Sequence, residues 1–274
     1  MDYDPVKDRL GDAFGRSPAL NKVFYRLLDT VFLRSWYVRR ELRALIESMP
    51  AGRPVRVLDA GTGFGQYAHF LLDQFPHVEV TAVDVKAGYL ARARSFFDQT
   101  PHAGRITFRQ LDLTEPMAEE AAYDLCLSVD VMEHIEDDRA VFRNFRRVLR
   151  AGGYVVVNTP SDQGGSGVTE EGGESFIGEH VRDGYPPAEL QEKLETAGLE
   201  VVDWMYTYGR YGSAGWRLLV KWPIGLLNRS MAFGALLPFY YLPALPAGLA
   251  LNALDLRESN PTGTGLLMIS QRPD

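Results

Sequence analysis

The feature that most constrains the fold of this 274-residue sequence is a glycine-rich turn between an apolar strand and a helix. Between Val55 and Leu72, an apolar run of strand character precedes three glycines, and apolar residues at helical spacing follow them. The glycines are Gly61, Gly63 and Gly65. Glycine tolerates positive φ and lets a ligand approach the backbone closely, and the N–H groups at a helix start attract polar or anionic groups. The stretch therefore predicts a site for a nucleotide-like ligand.

Two neighbours of the glycines help to separate the possible ligands. The dinucleotide-binding fingerprint requires a glycine three residues after the second one, and Gln66 occupies that position here. Asp59 lies just before the first glycine, where a carboxylate favours a ligand with a positive ammonium or sulfonium over one with two phosphates. A nicotinamide-dependent oxidoreductase is therefore the second interpretation, not the first.

The pattern Asp-x-Gly-x-Gly-x-Gly that starts at Asp59 resembles motif I of the class I S-adenosylmethionine-dependent methyltransferases. Three later stretches fall where this family would have them. They are a strand-like run ending at Asp84, a second ending at Asp112-Leu113, and Tyr123 to Ile135, which is similar to the fourth-strand motif of small-molecule and quinone-type members. Four matches in the family's order argue against coincidence.

The resemblance implies an α/β fold with a Rossmann-like, seven-stranded, mostly parallel sheet, helices on both faces and an antiparallel last strand. The alternation of strand and helix patterns from residue 53 to about 160 independently predicts a parallel sheet. We expect residues 53–208 and 263–274 to form this domain. Residues 1–52 would be an N-terminal helical extension or lid, and residues 209–262 a helical, apolar insert between the sixth and seventh strands.

The resemblance also implies S-adenosylmethionine as cofactor and S-adenosylhomocysteine as product. Asp84 would accept the ribose hydroxyls, and its distance of about 20 residues from the glycine turn suits that role. Asp112 and Leu113 would contact the adenine. The complete set of implied cofactor contacts is Asp59, Gly61, Thr62, Gly63, Gly65, Asp84, Val85, Asp112, Leu113, Ser128 and Val129.

Methyl transfer from a sulfonium depends mainly on in-line positioning and exclusion of water, so no fixed catalytic set is required. A hydroxyl or phenol acceptor would gain from a base, and His134 and His180 are the candidates because histidine titrates near neutrality. His134 could equally be a structural residue at a strand-to-helix turn. No metal is expected: five scattered histidines and one cysteine give no zinc-type cluster, and the carboxylates of Asp130 and Glu133 lack further ligands.

The charge and the start of the chain limit the remaining function classes. A formal charge of −7 and a pI near 5.3 argue against a nucleic-acid partner. Residues 1–7 are polar and acidic, unlike the basic and then apolar start of a signal peptide. We therefore expect a cytoplasmic protein, with membrane association as an option. The oligomeric state is not predicted.

The 54 residues between the last two strands depart from the family's short connection, and loops of this length are usually functional. They include an uncharged run of 25 residues, Ser230 to Leu254, which is long enough to span a bilayer. Three prolines and the return of a core strand favour an apolar cap or an interfacial segment instead.

Both segments that the chain adds to the core domain, the N-terminal extension and the insert, contain an excess of basic residues. The insert has five basic against two acidic side chains, and residues 22–43 have six against two. Together with the apolar run, this predicts a small acceptor that is apolar, lipid-like or anionic, with peripheral membrane contact as an option. The sequence does not distinguish O-, N- and C-methylation. A non-catalytic, membrane-peripheral protein that binds S-adenosylmethionine is the third interpretation.

Overall fold

A seven-stranded sheet forms the centre of the protein in the computed structural model, which describes residues 18–50, 52–164 and 181–274. The strand order is β3-β2-β1-β4-β5-β7-β6. Strands β1 to β5 pair in parallel, whereas β7 is antiparallel to both of its neighbours. The expected mostly parallel sheet with an antiparallel last strand is confirmed. The strands are β1 Val55–Ala60, β2 Val78–Asp84, β3 Ile106–Gln110, β4 Tyr123–Val129, β5 Leu149–Pro160, β6 Glu200–Thr207 and β7 Gly265–Gln271.

Helices cover both faces of this sheet, as predicted. They are α1 Pro18–Val31, α2 Leu33–Ser48, α3 Gln66–Gln74, α4 Ala87–Phe97, α5 Asp138–Val148, α6 Pro187–Thr196, α7 Arg210–Trp216, α8 Trp222–Arg229 and α9 Leu237–Arg257. Short 3-10 turns occupy Ala103–Arg105, Met132–His134 and Met231–Leu236, and a π-helical turn occupies Arg217–Lys221.

Side-chain alternation along the strands divides the core between the two faces. In β4, Leu125 and Leu127 join the cluster that contains α1 to α4, whereas Cys126 joins the cluster that contains α5 and α6. All three side chains are fully buried. Burial on both faces explains why this strand is apolar without interruption in the sequence, and it makes Cys126 an inert core thiol.

Helices α1 and α2 lie over the glycine turn, defined here as residues 61–65. The Gln66 side-chain amide donates hydrogen bonds to Asp29 Oδ1 at 2.7 Å and to Ser35 Oγ at 3.0 Å. The Tyr25 hydroxyl donates to the backbone carbonyl of Phe64. Gln66, the residue that breaks the dinucleotide fingerprint, therefore holds both N-terminal helices against the start of α3.

The insert folds into a helical hairpin. Its outgoing arm runs through α7, the π-helical turn and α8, and α9 returns to β7. In the π-helical turn, the backbone N–H of Trp222 donates to the carbonyl of Arg217, five residues earlier. The next residue, Pro223, has no N–H to donate, and such a local widening lets a helix continue past proline.

The end of the hairpin next to the domain is fixed by a buried carboxylate. Asp255 accepts hydrogen bonds from the Tyr37 hydroxyl at 2.8 Å, the Gly212 backbone N–H at 2.7 Å and the Asn260 amide at 3.2 Å. A Cβ atom at Gly212 would come within 2.4 Å of the Leu33 side chain. Helices α7 and α9 are therefore packed tightly against α2 at this end.

Replacing Asp255 with Asn should destabilise the protein by about 1 to 3 kcal/mol, the cost of leaving a buried group unsatisfied. The carboxamide keeps the shape but has one oxygen, so its NH2 would face either the Gly212 N–H or the donors at the other oxygen. Urea unfolding would measure the change. The control is Glu258→Gln, because the Glu258 side chain forms an exposed ion pair with Arg210 and no buried contact with a described residue. Equal, small effects for both variants would show that the buried network does not hold the insert.

Candidate cofactor and active site

The glycine turn joins the end of β1 to α3 at the carboxyl edge of the sheet. The backbone N–H groups of Gly61 and Thr62 both donate to the Val83 carbonyl in β2 at 2.9 Å. All three glycines have positive φ, between 53° and 81°. Only glycine adopts this conformation without strain, so the sequence dictates the local path of the chain here.

The three glycines differ in what surrounds them. A Cβ atom at Gly61 would lie 2.3 Å from the Val131 side chain, and one at Gly65 would lie 2.9 Å from the ring of Phe97. At Gly63, no atom of a described residue other than its chain neighbours lies within 4 Å of that position. Gly61 and Gly65 are therefore required for packing, whereas Gly63 borders open space into which a ligand can fit.

The carboxylate of Asp59 stabilises the turn from beneath. Its Oδ2 accepts a hydrogen bond from the Thr62 hydroxyl at 2.6 Å, and its side chain is buried. Burial, with the negative charge of Asp84 in addition, raises the pKa of Asp59 to about 6, although the Thr62 hydrogen bond acts in the opposite direction. The described hydrogen bonds of Asp59 come from Thr62 in the turn and from the Ala68 backbone in α3, and its predicted role towards the cofactor stays a prediction.

Asp84 lies at the end of β2, beside the glycine turn. One carboxylate oxygen accepts from the Gly63 backbone N–H and the other from the Lys86 N–H, both at 2.9 Å. These bonds fix the side chain at the open position next to Gly63 and leave lone pairs on each oxygen for ligand hydroxyls. Val85, which follows it, is 59% exposed and is the kind of apolar surface on which a base can lie.

The predicted adenine contacts follow β3 at the same edge. The Leu111 N–H donates to the Asp84 carbonyl at 3.2 Å, which places the two strand ends side by side. Asp112 is exposed, and hydrogen bonds from the backbone and side chain of Thr114 lower its pKa. Leu113 is buried, and its carbonyl accepts from the Asn144 amide at 2.8 Å. Asp112 is therefore ionised and available to accept from an exocyclic amine.

Ser128 and Val129 end β4, next to β1. Ser128 pairs with Ala60 in the sheet and is fully buried. Its hydroxyl has no hydrogen-bond partner among the described residues. Buried polar atoms without a partner are uncommon, so a polar group of a ligand would satisfy this one. Together, the predicted cofactor residues meet at the ends of β1 to β4, where open parallel sheets bind ligands.

A polar cluster lies just beyond β4, and sequence reasoning had not assembled it. Asp130 has a positive φ of 53°, forms an ion pair with Arg34 and accepts from the Asn158 amide at 3.2 Å. The Arg34 backbone N–H donates to the Tyr208 hydroxyl at 3.1 Å. A non-glycine residue at positive φ is a strained position that is often functional. Through these contacts, the cluster connects α2, the end of β4, β5 and the residue that precedes the insert.

Glu133 is the second carboxylate of this region and is almost completely buried. It accepts a hydrogen bond from the Thr159 hydroxyl at 3.0 Å. Burial, together with the charge of Asp130, raises the pKa of Glu133 to about 8. The side chain therefore holds a proton near neutral pH. The described residues contain no group of acidic residues, histidine and cysteine that could hold a metal ion.

Of the two candidate bases, His134 lies within the described residues and His180 does not. His134 ends the 3-10 turn Met132–His134 and is partly buried, and its backbone N–H donates to the Val131 carbonyl at 3.0 Å. His180 lies outside the described residues. Its neighbour Val181 donates a backbone hydrogen bond to the Glu133 carbonyl at 3.0 Å. The catalytic role of both histidines stays a prediction.

The part of the chain that contains the glycine turn is similar to known methyltransferases. Residues 57–153 match a family model described as a methyltransferase domain. A protein of Mycolicibacterium smegmatis named "probable S-adenosylmethionine-dependent methyltransferase" is 32% identical over 66% of this chain and 64% of its own length. A malonyl-[acyl-carrier protein] O-methyltransferase of a Paenibacillus strain is 31% identical over 43% of this chain and 44% of its own length.

Solved structures show the same fold. The phosphoethanolamine N-methyltransferase 2 of Haemonchus contortus, solved with S-adenosyl-L-methionine, has a TM-score of 0.60 at 19% identity, covering 97% of this chain and 60% of its own. The first four curated relatives are matched over only 25%, 44%, 40% and 64% of their lengths. This chain therefore spans less than two thirds of the length of each of these relatives.

Proposed function

We infer, because the chain belongs to the class I S-adenosylmethionine-dependent methyltransferase family, that it transfers a methyl group from S-adenosylmethionine to a small acceptor. The observation that supports this most directly is the open position at Gly63, beside which hydrogen bonds fix the carboxylate of Asp84. Asp84 accepts from the Gly63 N–H, and the buried Ser128 hydroxyl lacks a partner among the described residues. These residues fit a ligand that offers both hydroxyl and amine groups.

S-adenosylmethionine, when bound, supplies an electrophilic methyl group on a sulfonium. The protein must orient that group, exclude water and receive any proton that the acceptor loses. Helices α1 and α2 cover the glycine turn through Tyr25 and Gln66 and so restrict the entry of water. The Arg34–Asp130 ion pair and the proton on Glu133 provide polar groups on the side of β4 and β5.

The acceptor in this proposal is apolar or lipid-like, and the atom that is methylated stays open. The exposed apolar residues of the hairpin, and the absence of acidic residues between Asp203 and Asp255, support this choice. The insert would act as a cap or wall of the acceptor site. A cytoplasmic location with peripheral contact to a membrane would give such a protein access to an acceptor dissolved in lipid.

A nicotinamide-dependent oxidoreductase is the competing enzyme class. Gln66 argues against it, because it occupies the position of the fingerprint's third glycine and holds Asp29 and Ser35 instead. Isothermal titration with S-adenosylmethionine and with nicotinamide dinucleotides would separate the two classes. Binding of a dinucleotide alone would overturn the proposal.

Transfer of a labelled methyl group from S-adenosylmethionine into a lipid and quinone extract would test the chemistry itself. The expected result is a labelled product that partitions into organic solvent. Tight binding of S-adenosylmethionine without transfer to any lipid, quinone or small-molecule fraction would instead favour a non-catalytic binding protein.

Replacing Asp84 with Ala should weaken S-adenosylmethionine binding by roughly 1 to 3 kcal/mol, the scale for charge-assisted hydrogen bonds, or about 5- to 150-fold. The loss has two sources, because Asp84 is predicted to bind the ribose and also fixes the Gly63 N–H. Isothermal titration would measure it. Asp98→Ala, which removes an exposed carboxylate at the end of α4, is the control. An unchanged affinity for Asp84→Ala would remove this residue from the site.

A further inference from the structure

The outer part of the insert presents an apolar surface that no described residue covers. We call residues 222–242 the hairpin tip. Its large apolar side chains are exposed to an extent unusual for a folded domain. The exposed fractions are 55% for Trp222, 37% for Ile224, 37% for Phe233, 57% for Leu236, 72% for Phe239 and 74% for Leu242.

The other end of the hairpin is buried in protein contacts. Ala244, Gly248, Asn252 and Asp255 are buried in α9 at successive turns. A Cβ atom at Gly248 would lie 2.4 Å from the Leu219 side chain, so the two arms are in close contact there. One face of α9 from Ala244 to Asp255 is thus packed against other parts of the protein. Of the large apolar side chains of the insert that are exposed, all but Leu254 lie in the hairpin tip.

This division limits how the hairpin can meet a membrane. Among the described residues, Ala232–Arg257 is the one helical stretch that is long and apolar enough to cross a bilayer, and 11% of its most apolar window is buried. A full crossing would place Asp255 and Asn252 in hydrocarbon and break their contacts with α2 and α1. The free segment of α9, Leu237 to Leu242, rises about 8 Å at the helical rise per residue. That length matches the depth of roughly 5 to 10 Å that interfacial helices reach.

The polar groups of the hairpin tip suit a lipid boundary. The hydroxyls of Tyr240 and Tyr241 donate to the carbonyls of Leu218 and Leu219 at 2.7 and 2.8 Å, so they are satisfied inside the hairpin. Tyrosine and tryptophan, with one apolar and one polar end, are favoured at membrane surfaces. The hairpin tip can therefore enter the interface without exposing unpaired side-chain hydroxyls.

The charge on and beside the hairpin tip is positive, although the whole chain has a net charge of −7. Arg217, Lys221 and Arg229 are exposed, and none of them forms an ion pair with a described residue. No acidic residue occurs between Asp203 and Asp255 to oppose them. Positive charge beside an apolar surface is complementary to anionic lipid headgroups.

We infer that the hairpin tip docks this protein onto an anionic lipid bilayer by inserting Trp222, Phe239 and Leu242 into the interface. The inference rests on the proposed function and extends it, because it predicts that the methyl acceptor is a molecule held in the bilayer. The contact itself can be measured without turnover. Failure of docking is therefore distinguishable from failure of methyl transfer.

Co-sedimentation with vesicles would test the inference. The full chain is mixed with vesicles of phosphatidylcholine alone, or with about one third phosphatidylglycerol, an amount that supplies the negative surface potential. We expect binding to the anionic vesicles, at least 10-fold weaker binding for the double variant Phe239→Ser/Leu242→Ser, and weaker, less salt-dependent binding for Lys221→Gln/Arg229→Gln. The matched control is Val202→Ser/Trp204→Ser, which removes two exposed apolar side chains from β6, at the edge of the sheet.

Several outcomes would overturn the inference. The first is no binding of the wild-type chain to anionic vesicles. The second is an equal loss for the hairpin-tip and β6 variants. The third is a dimer in lipid-free buffer that Phe239→Ser/Leu242→Ser converts to a monomer, which would make the surface a contact between two copies. Each variant should keep the wild-type melting temperature and affinity for S-adenosylmethionine, because its side chains are exposed and lie outside the glycine turn.

Discussion

Gly63→Val is expected to lose at least about 100-fold in affinity for S-adenosylmethionine, or roughly 3 kcal/mol, while the protein remains folded. The new side chain would occupy the open position beside Asp84 where the ligand is predicted to meet the backbone. Apart from the two chain neighbours, no described residue has an atom within 4 Å of its Cβ position, so the substitution creates no clash with the described part of the chain. Its branched side chain does strain a backbone held at φ 53°.

A matched control separates the effect of backbone strain from the effect of a side chain that blocks the ligand. Gly152 also has a positive φ, 73°, and the nearest atom to its Cβ position is 4.0 Å away. It lies in β5, where its N–H donates to the Arg272 carbonyl, outside the set of predicted cofactor residues. Gly152→Val should therefore lose stability of the same order and bind S-adenosylmethionine normally. If both variants bind equally well by titration, Gly63 serves only the path of the turn.

The prediction of the fold from sequence succeeded where local patterns determine the structure. The β4 segment is apolar without interruption because both faces of the sheet bury it, and the glycine spacing fixes the positive φ values of the turn. The carboxylate at Asp84 was predicted at the edge of the sheet because a parallel strand order brings strand ends together. Such features require only neighbouring residues and general topology.

The cluster beside β4 could not be predicted in the same way. Arg34 and Asp130 are 96 positions apart, and six basic residues in the stretch 22–43 were equally plausible partners. Only the packing of α2 over the turn selects Arg34. Likewise, the proximity of Asp130 and Glu133 was visible in the sequence, but the burial that protonates Glu133 depends on β5 and Thr159.

The structure of the insert could also be predicted only in part from the sequence. Its composition predicted an apolar, helical segment, but not which part would be free. The assignment depends on Asp255, whose charge in the sequence resembles an ordinary solvent-exposed helix end. In the structure this carboxylate is buried against Tyr37 and Gly212, so the segment beyond Ala244 is fixed and the hairpin tip remains exposed. The role of the insert towards the acceptor thus depends on what contacts that tip.

Glu133→Gln is expected to change how stability depends on pH. The pKa of Glu133 is raised in the folded protein to about 8, from an ordinary value of 4.5. Folding therefore favours the protonated form, and the stabilisation is complete below pH 4.5 and lost as the pH rises towards 8. The ceiling is about 5 kcal/mol, since each pKa unit corresponds to about 1.4 kcal/mol.

Glutamine resembles the protonated acid in shape and charge, so the variant should not experience this loss. Urea unfolding from pH 5 to 8.5 would compare the two proteins. The wild-type chain should lose on the order of 3 to 5 kcal/mol relative to the variant across this range, with little difference at pH 5. Glu136→Gln, at an exposed position in the same segment, controls for the general loss of a negative charge. Parallel stability curves for wild type and Glu133→Gln would show that Glu133 is ionised at neutral pH, and its proton could then take no part in the site.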